Sequence, residues 1–178
     1  MTEGPDRLQR LWTPYRMSYV RGGEPEPDDR CPFCRIADGG AQSELVVHRG
    51  DTVFVVLNLY PYNPGHLMVV PDRHVADYTD LTVAETTEVA VLTQQALRTI
   101  RAVSAPHGFN VGLNLGGVAG GSLSQHLHQH VVPRWPGDAN FMTVLGQTKT
   151  LPQLLEDTRD LLADAWTAAA LPTESQED

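Results

Sequence analysis

The segment His126-Leu127-His128-Gln129-His130-Val131-Val132-Pro133 sets three histidines at alternate positions and follows them with an apolar pair. A period of two suits a β-strand, in which residues i, i+2 and i+4 face the same way, and would scatter the rings around a helix. The chain has seven histidines in 178 residues, so a run of this kind has a chance expectation of about one in a hundred. Three imidazoles in one row, about 7 Å apart along a strand, can line a metal site or a catalytic cleft. A single strand histidine is more often a hydrogen-bonded structural side chain, so the surroundings decide.

Those surroundings read as a sheet with helices. Leu45–His48, Thr52–Tyr60 and His66–Pro71 are β-rich runs, with Pro61-Tyr-Asn-Pro-Gly65 as a turn that makes the last two an antiparallel pair. Thr82-Val-Ala-Glu85 is a capping box, and Val89, Leu92, Ala96, Ile100 and Val103 recur at helical intervals after it, predicting a helix over 82–104. Phe109–Leu115 predicts a strand beside the histidine strand, joined to it by the glycine-rich loop Gly116–Ser122. Pro152 at a helix start, followed by Leu154, Leu155, Thr158, Leu161, Leu162 and Ala165, predicts a last amphipathic helix. The expected architecture is α+β, an antiparallel five-stranded sheet with one long helix and a C-terminal helix. Residues 1–30 read as an N-terminal arm, 31–170 as the domain and 171–178 as a flexible acidic tail.

Net charge narrows the partners. Thirteen Lys and Arg against 22 Asp and Glu give −9, which argues against non-specific affinity for nucleic acid or anionic membrane. No apolar run is long enough to span a bilayer and the N-terminus lacks a signal peptide's apolar centre, so a cytoplasmic location is expected. The only cysteines, Cys31 and Cys34, form one Cys-Pro-Phe-Cys unit. In a reducing compartment that spacing suggests a metal clip or a redox pair more than a structural disulfide. The approach to Cys31, "GGEPEPDDR", is loop and not the buried strand that a redox active site needs, which weakens the second option.

Anion chemistry enters with the loop. Asn114, Gly121 and Ser122 sit in "NLGGVAGGS" just before the histidines, where successive backbone N–H groups can form a nest and the hydroxyl adds a donor. A glycine-rich connection without neighbouring histidines would be read as a solvated hairpin loop. Beside a phosphate, a neutral imidazole with one nitrogen held by an acceptor and the other free can act as a nucleophile.

Together with "NLYPYNPGHLMVVP" (58–71), these motifs resemble the histidine triad (HIT) superfamily of nucleotide hydrolases and transferases, whose signature is His-φ-His-φ-His-φ-φ with φ apolar. Gln129 departs from the pattern, on the side of the strand away from the triad, and is expected to affect packing more than chemistry. The resemblance implies that His128 attacks the α-phosphorus to form a nucleotidyl-histidine. It further implies that Asn58 holds the ribose, that His66 borders the site, and that Asn114, Gly121, Ser122 and His130 contact phosphate. It also implies a structural zinc on Cys31, Cys34, His74 and His126, with no organic cofactor, and a homodimer or higher homo-oligomer whose sheets join.

The N-terminal "DRLQRLWTPYRMSYV" and "HVVPRW" look most like the bacterial branch that includes diadenosine tetraphosphate phosphorylases. The implied reaction is phosphorolysis of diadenosine tetraphosphate to ATP and ADP, with inorganic phosphate as acceptor. Water as acceptor would give AMP, as would hydrolysis of nucleoside phosphoramidates. A non-catalytic nucleotide-binding protein is the remaining reading, and the intact triad and loop speak against it.

Overall fold

The computed structural model describes residues 30–40, 42–121, 123–138 and 153–170. The expected N-terminal arm, apart from Arg30, the acidic tail, Ser122 and the Pro152 helix start lie outside them. The elements in chain order are α1 (Pro32–Ala37), β1 (Val46–Arg49), β2 (Val53–Leu57), β3 (Leu67–Pro71), α2 (Val83–Ser104), β4 (Gly108–Leu113), β5 (Gln129–Arg134) and α3 (Leu155–Trp166). The five strands form one antiparallel sheet in the order β1-β2-β3-β5-β4. Both expected strand pairs are present, β2 with β3 and β4 with β5.

Every residue of β2 and β3 is buried, as their near-continuous apolar sequence requires of central strands. Helix α2 packs against β2, β3 and β5, and α3 packs against α2 and β1. The capping box of α2 is formed: the Thr82 hydroxyl accepts from the Glu85 N–H, and the Glu85 carboxylate accepts from the Thr82 N–H. Its inward face carries Val89, Leu92, Ala96 and Ile100 as expected, together with Thr93 and Thr99.

Three local differences from the sequence expectation have physical causes. The stripe of α3 is Thr158, Leu162 and Trp166, while Leu161 is 40% exposed. Three residues at i, i+4 and i+8 form a narrow stripe, anchored where Trp166 stacks on His48 with ring centroids 5.0 Å apart. Residues 32–37 form a single helical turn and a half, started by Pro32 in the first turn, where the missing N–H costs nothing. Finally, β5 starts at Gln129, so His126 and His128 precede the strand that was expected to hold all three histidines. Pairing with β3 stops at Val69↔Gln129 and pairing with β4 at Leu113↔Gln129. Upstream, the Leu127 N–H is instead bonded to the Val75 carbonyl, which draws the segment off the sheet ladder.

Candidate functional site

Three imidazoles and a phenyl ring line up where this segment enters the sheet. Phe33 of α1 lies against His126 and His128, with centroid distances of 5.4 and 5.0 Å, and His128 meets His130 edge-on at 4.9 Å. These ring contacts keep the three imidazoles in a row although the strand starts only at Gln129.

His128 is buried, and its Nδ1 lies 2.9 Å from the His126 carbonyl. A carbonyl only accepts, so Nδ1 carries the proton and Nε2 keeps its lone pair. Burial pushes the His128 pKa below its ordinary value, against the upward pull of that hydrogen bond. The neutral ring with a free Nε2 is the form a nucleophile needs. No acidic partner adjoins the segment in sequence, and the backbone carbonyl takes that orienting part.

His66 and His130 form a second chain of hydrogen bonds. The Tyr62 N–H donates to His66 Nδ1 at 3.0 Å, so in the neutral ring Nε2 carries the proton. His66 Nε2 is 2.9 Å from His130 Nδ1 and donates to it. On the other side of the ring, His130 Nε2 lies 3.4 Å from Asn114 Nδ2. The Tyr62 ring covers the pair, with centroids 4.7 Å from His66 and 5.7 Å from His130. Gly121 closes against Asn114: a Cβ at 121 would stand 3.1 Å from the Asn114 Cβ. The structure therefore brings together His66, Asn114, Gly121, His128 and His130.

Asn58 is also at this end of the sheet, but its carboxamide is engaged locally. It is buried, its Oδ1 accepts from the Tyr60 N–H at 2.9 Å, and its Nδ2 lies 3.4 Å from His66 Nδ1. This is the turn that Asn commonly makes with the backbone two residues on.

The second cluster is Cys31, Cys34, His74 and His126, whose ligand atoms all lie within 4.8 Å of one another. His126 Nδ1 is 3.3 Å from Cys31 Sγ and 3.6 Å from Cys34 Sγ, and His74 Nδ1 is 3.3 Å from Cys34 Sγ. Tetrahedral zinc with ordinary bond lengths sets sulfur and nitrogen ligands about 3.6 Å apart, so the donors fit such an ion with little movement. The His126 Nε2–H donates to the Pro71 carbonyl at 2.8 Å, leaving Nδ1 to face the thiols. An outer hydrogen bond of this kind commonly fixes a ligating histidine.

Several residues at the site carried no sequence signal of their own role. Phe33 was only the filler of Cys-Pro-Phe-Cys, and Tyr62 only part of a turn. Gln129, the departure from the triad pattern, donates to the Thr93 hydroxyl of α2 at 2.6 Å, and that hydroxyl donates to the Val89 carbonyl. Its polarity is thus satisfied against the helix. Arg73, next to His74, makes a two-pronged contact with Glu85 at 2.9 and 2.8 Å and donates to the Asp80 carbonyl. This ties the His74 loop to the start of α2.

Known proteins resemble this chain in sequence and fold. A family model described as "HIT domain" matches residues 40–137. An AP-4-A phosphorylase from Mycobacterium tuberculosis is 58% identical over 167 residues, spanning 90% of this chain and 86% of that protein. Among solved structures, a zinc-bound histidine triad family protein from Mycobacterium smegmatis superposes with a TM-score of 0.64 at 27% identity, covering 78% of this chain and 94% of the other. A protein from Sulfolobus tokodaii described as a hypothetical histidine triad nucleotide-binding protein has the same fold, with a TM-score of 0.63 at 23% identity over 78% and 93% of the two chains. The alternating histidines, their sheet and these likenesses together make the chain a member of the HIT family.

Proposed function

We propose that this chain is a dinucleoside polyphosphate phosphorylase that cleaves diadenosine tetraphosphate to ATP and ADP through a nucleotidyl-histidine on His128. The observation that carries this reading is the buried His128 ring, with its Nδ1–H held on the His126 carbonyl, which leaves the lone pair on Nε2. The similarity to an AP-4-A phosphorylase over nine-tenths of the chain supports the substrate and acceptor.

In the first step Nε2 forms a bond to the α-phosphorus, and the bond from that phosphorus to the bridging oxygen breaks, releasing ATP with the electron pair. The ring becomes cationic, and the carbonyl on Nδ1–H stabilises the developing charge without taking the proton. His130, Asn114 and the amides around Gly121 are assigned to the phosphate oxygens, together with Ser122. In the second step an oxygen of inorganic phosphate attacks the same phosphorus, the P–N bond returns its pair to Nε2, and ADP leaves. Asn58 is assigned to the ribose, which requires its carboxamide to exchange the Tyr60 N–H for a hydroxyl.

Cys31, Cys34, His74 and His126 are assigned to a structural zinc ion. Bound there, zinc supplies a closed four-ligand cross-link with no open position for chemistry. Among the described residues, no helix is long and apolar enough to cross a membrane, in keeping with a cytoplasmic enzyme. β4 is an outer strand with Asn110, Val111 and Gly112 exposed, which supports pairing with a second copy into a homodimer.

Incubation with diadenosine tetraphosphate, with and without inorganic phosphate, tests the reaction. ADP and ATP in equal amounts, only when phosphate is present, are expected. AMP formed at a rate indifferent to phosphate would overturn phosphorolysis in favour of hydrolysis. His128→Asn should abolish turnover while nucleotide binding stays measurable.

A further inference from the structure

The four thiol and imidazole donors adjoin, along the chain, the groups that contact the nucleophile. The 126–127 peptide is held at both ends: its carbonyl accepts from His128 Nδ1 at 2.9 Å, and its N–H donates to the Val75 carbonyl at 2.7 Å. Val75 follows the donor His74, and the carbonyl belongs to the donor His126. Phe33 sits between Cys31 and Cys34, is 3% exposed, and packs on the rings of both His126 and His128. Each donor is therefore within two residues of a group that touches His128 or the peptide that orients it.

We propose that the metal centre sets the orientation of the His128 ring through Phe33 and the 126–127 peptide, which makes Phe33 a positioning residue for nucleotidyl transfer. This rests on His128 being the nucleophile. The physical argument is stiffness. An ion that draws α1, the His74 loop and His126 together fixes the plane of the 126–127 peptide and the height of the phenyl ring. These two contacts select the ring rotation at which Nδ1–H meets its carbonyl. A nucleophile misplaced by about 1 Å can lose a hundredfold in rate, whereas Asn58, Asn114 and Gly121, assigned to nucleotide binding, take no part in these two contacts.

The test uses the full chain in three forms: zinc-loaded, stripped with a chelator, and Phe33→Ala with its zinc content measured. Each is examined by circular dichroism for fold, by imidazole 15N NMR for the His128 tautomer, and by kcat and affinity for a non-hydrolysable diadenosine tetraphosphate analogue. The loaded protein should show one His128 tautomer with the proton on Nδ1. Metal removal and Phe33→Ala should each give a tautomer mixture and lower kcat at least tenfold, with analogue affinity within threefold. Should the stripped or Ala protein fail to fold, Phe33→Met keeps the apolar volume without the flat ring and should still lower kcat at least fivefold. A folded, zinc-replete Phe33→Ala or Phe33→Met protein with a single Nδ1–H tautomer and kcat within twofold of the parent would overturn the proposal. Retained turnover in His128→Asn would instead overturn the nucleophile assignment.

Discussion

Glu85 ties the long helix to the loop that carries His74, and its removal should cost stability and metal retention together. The side chain is buried, at 4% exposure, and its carboxylate accepts from Arg73 Nε and Nη2, from the Thr82 N–H and from the Thr82 hydroxyl. Glu85→Ala deletes half of the capping box, worth about 1 kcal/mol. It also deletes the ion pair, and because the Arg73 side chain is 49% exposed that part rehydrates and is worth about 0.5–1 kcal/mol. The sum, about 2 kcal/mol, corresponds to a fall in Tm of roughly 4–8 °C for a domain of this size.

Urea unfolding of the parent, Glu85→Ala, Arg73→Leu and the double variant should give a coupling of about 0.5–1 kcal/mol. Arg73, helped by Thr82 and opposed by burial, holds the Glu85 carboxyl down from 4.5 to about 2. The pair's contribution is therefore full above the unfolded value and is lost as pH falls toward 2. Glu85→Gln should flatten that part of the stability profile. Competition with a chromogenic chelator should show faster zinc loss from Glu85→Ala. An unchanged urea midpoint, or strict additivity with Arg73→Leu, would refute the reasoning.

Gly121→Ala puts a methyl 3.1 Å from the Asn114 Cβ and should lower kcat about tenfold by displacing that side chain, with a stability change under about 1 kcal/mol, read by steady-state kinetics and urea unfolding. Burial lowers the His48 pKa, partly countered by Glu88, so the neutral His48 stabilises the fold above its ordinary value of 6.5. That stabilisation is lost as pH falls below 6.5 toward the folded value, and His48→Gln should lose less Tm than the parent between pH 7.5 and 5.5. Gln129→Leu and Thr93→Val should each cost about 1 kcal/mol and the double variant less than their sum, since removing both partners leaves no orphaned group; chemical denaturation checks the cycle.

The elements that were legible from sequence were those whose pattern has a single physical reading. Thr82 and Glu85 three residues apart, followed by apolar spacing of three and four, have no reading but a helix start, and α2 begins there. The apolar runs of β2 and β3 with Asn63-Pro64-Gly65 between them could only turn back on each other. The histidine row was legible as a row, but its position relative to the strand was not. Whether Leu127 bonds to β3 or to Val75 depends on a loop fifty residues away. The same limit hid Phe33 and Tyr62, whose importance lies in which rings they cover. Gln129 read as an irregularity until its partner Thr93 was in view. The outer leucines of α3 misled because helical spacing does not say how wide the covering surface is, and Leu161 falls beyond its edge.

The sheet order has a consequence for how the active centre comes into being. Two hairpins, β2 with β3 and β4 with β5, each close over short stretches of chain, yet they are stitched to one another only across Leu67–Val69 and Gln129–Val131. Local closure precedes distant closure when loop entropy governs the rate, so this suture is the last part of the sheet to knit. Both His66 and His130 lie on it, one beside Leu67 and the other opposite Met68. The hydrogen bond between these two rings thus forms only when the hairpins join, so the phosphate site proposed above would arrive only with completion of the fold.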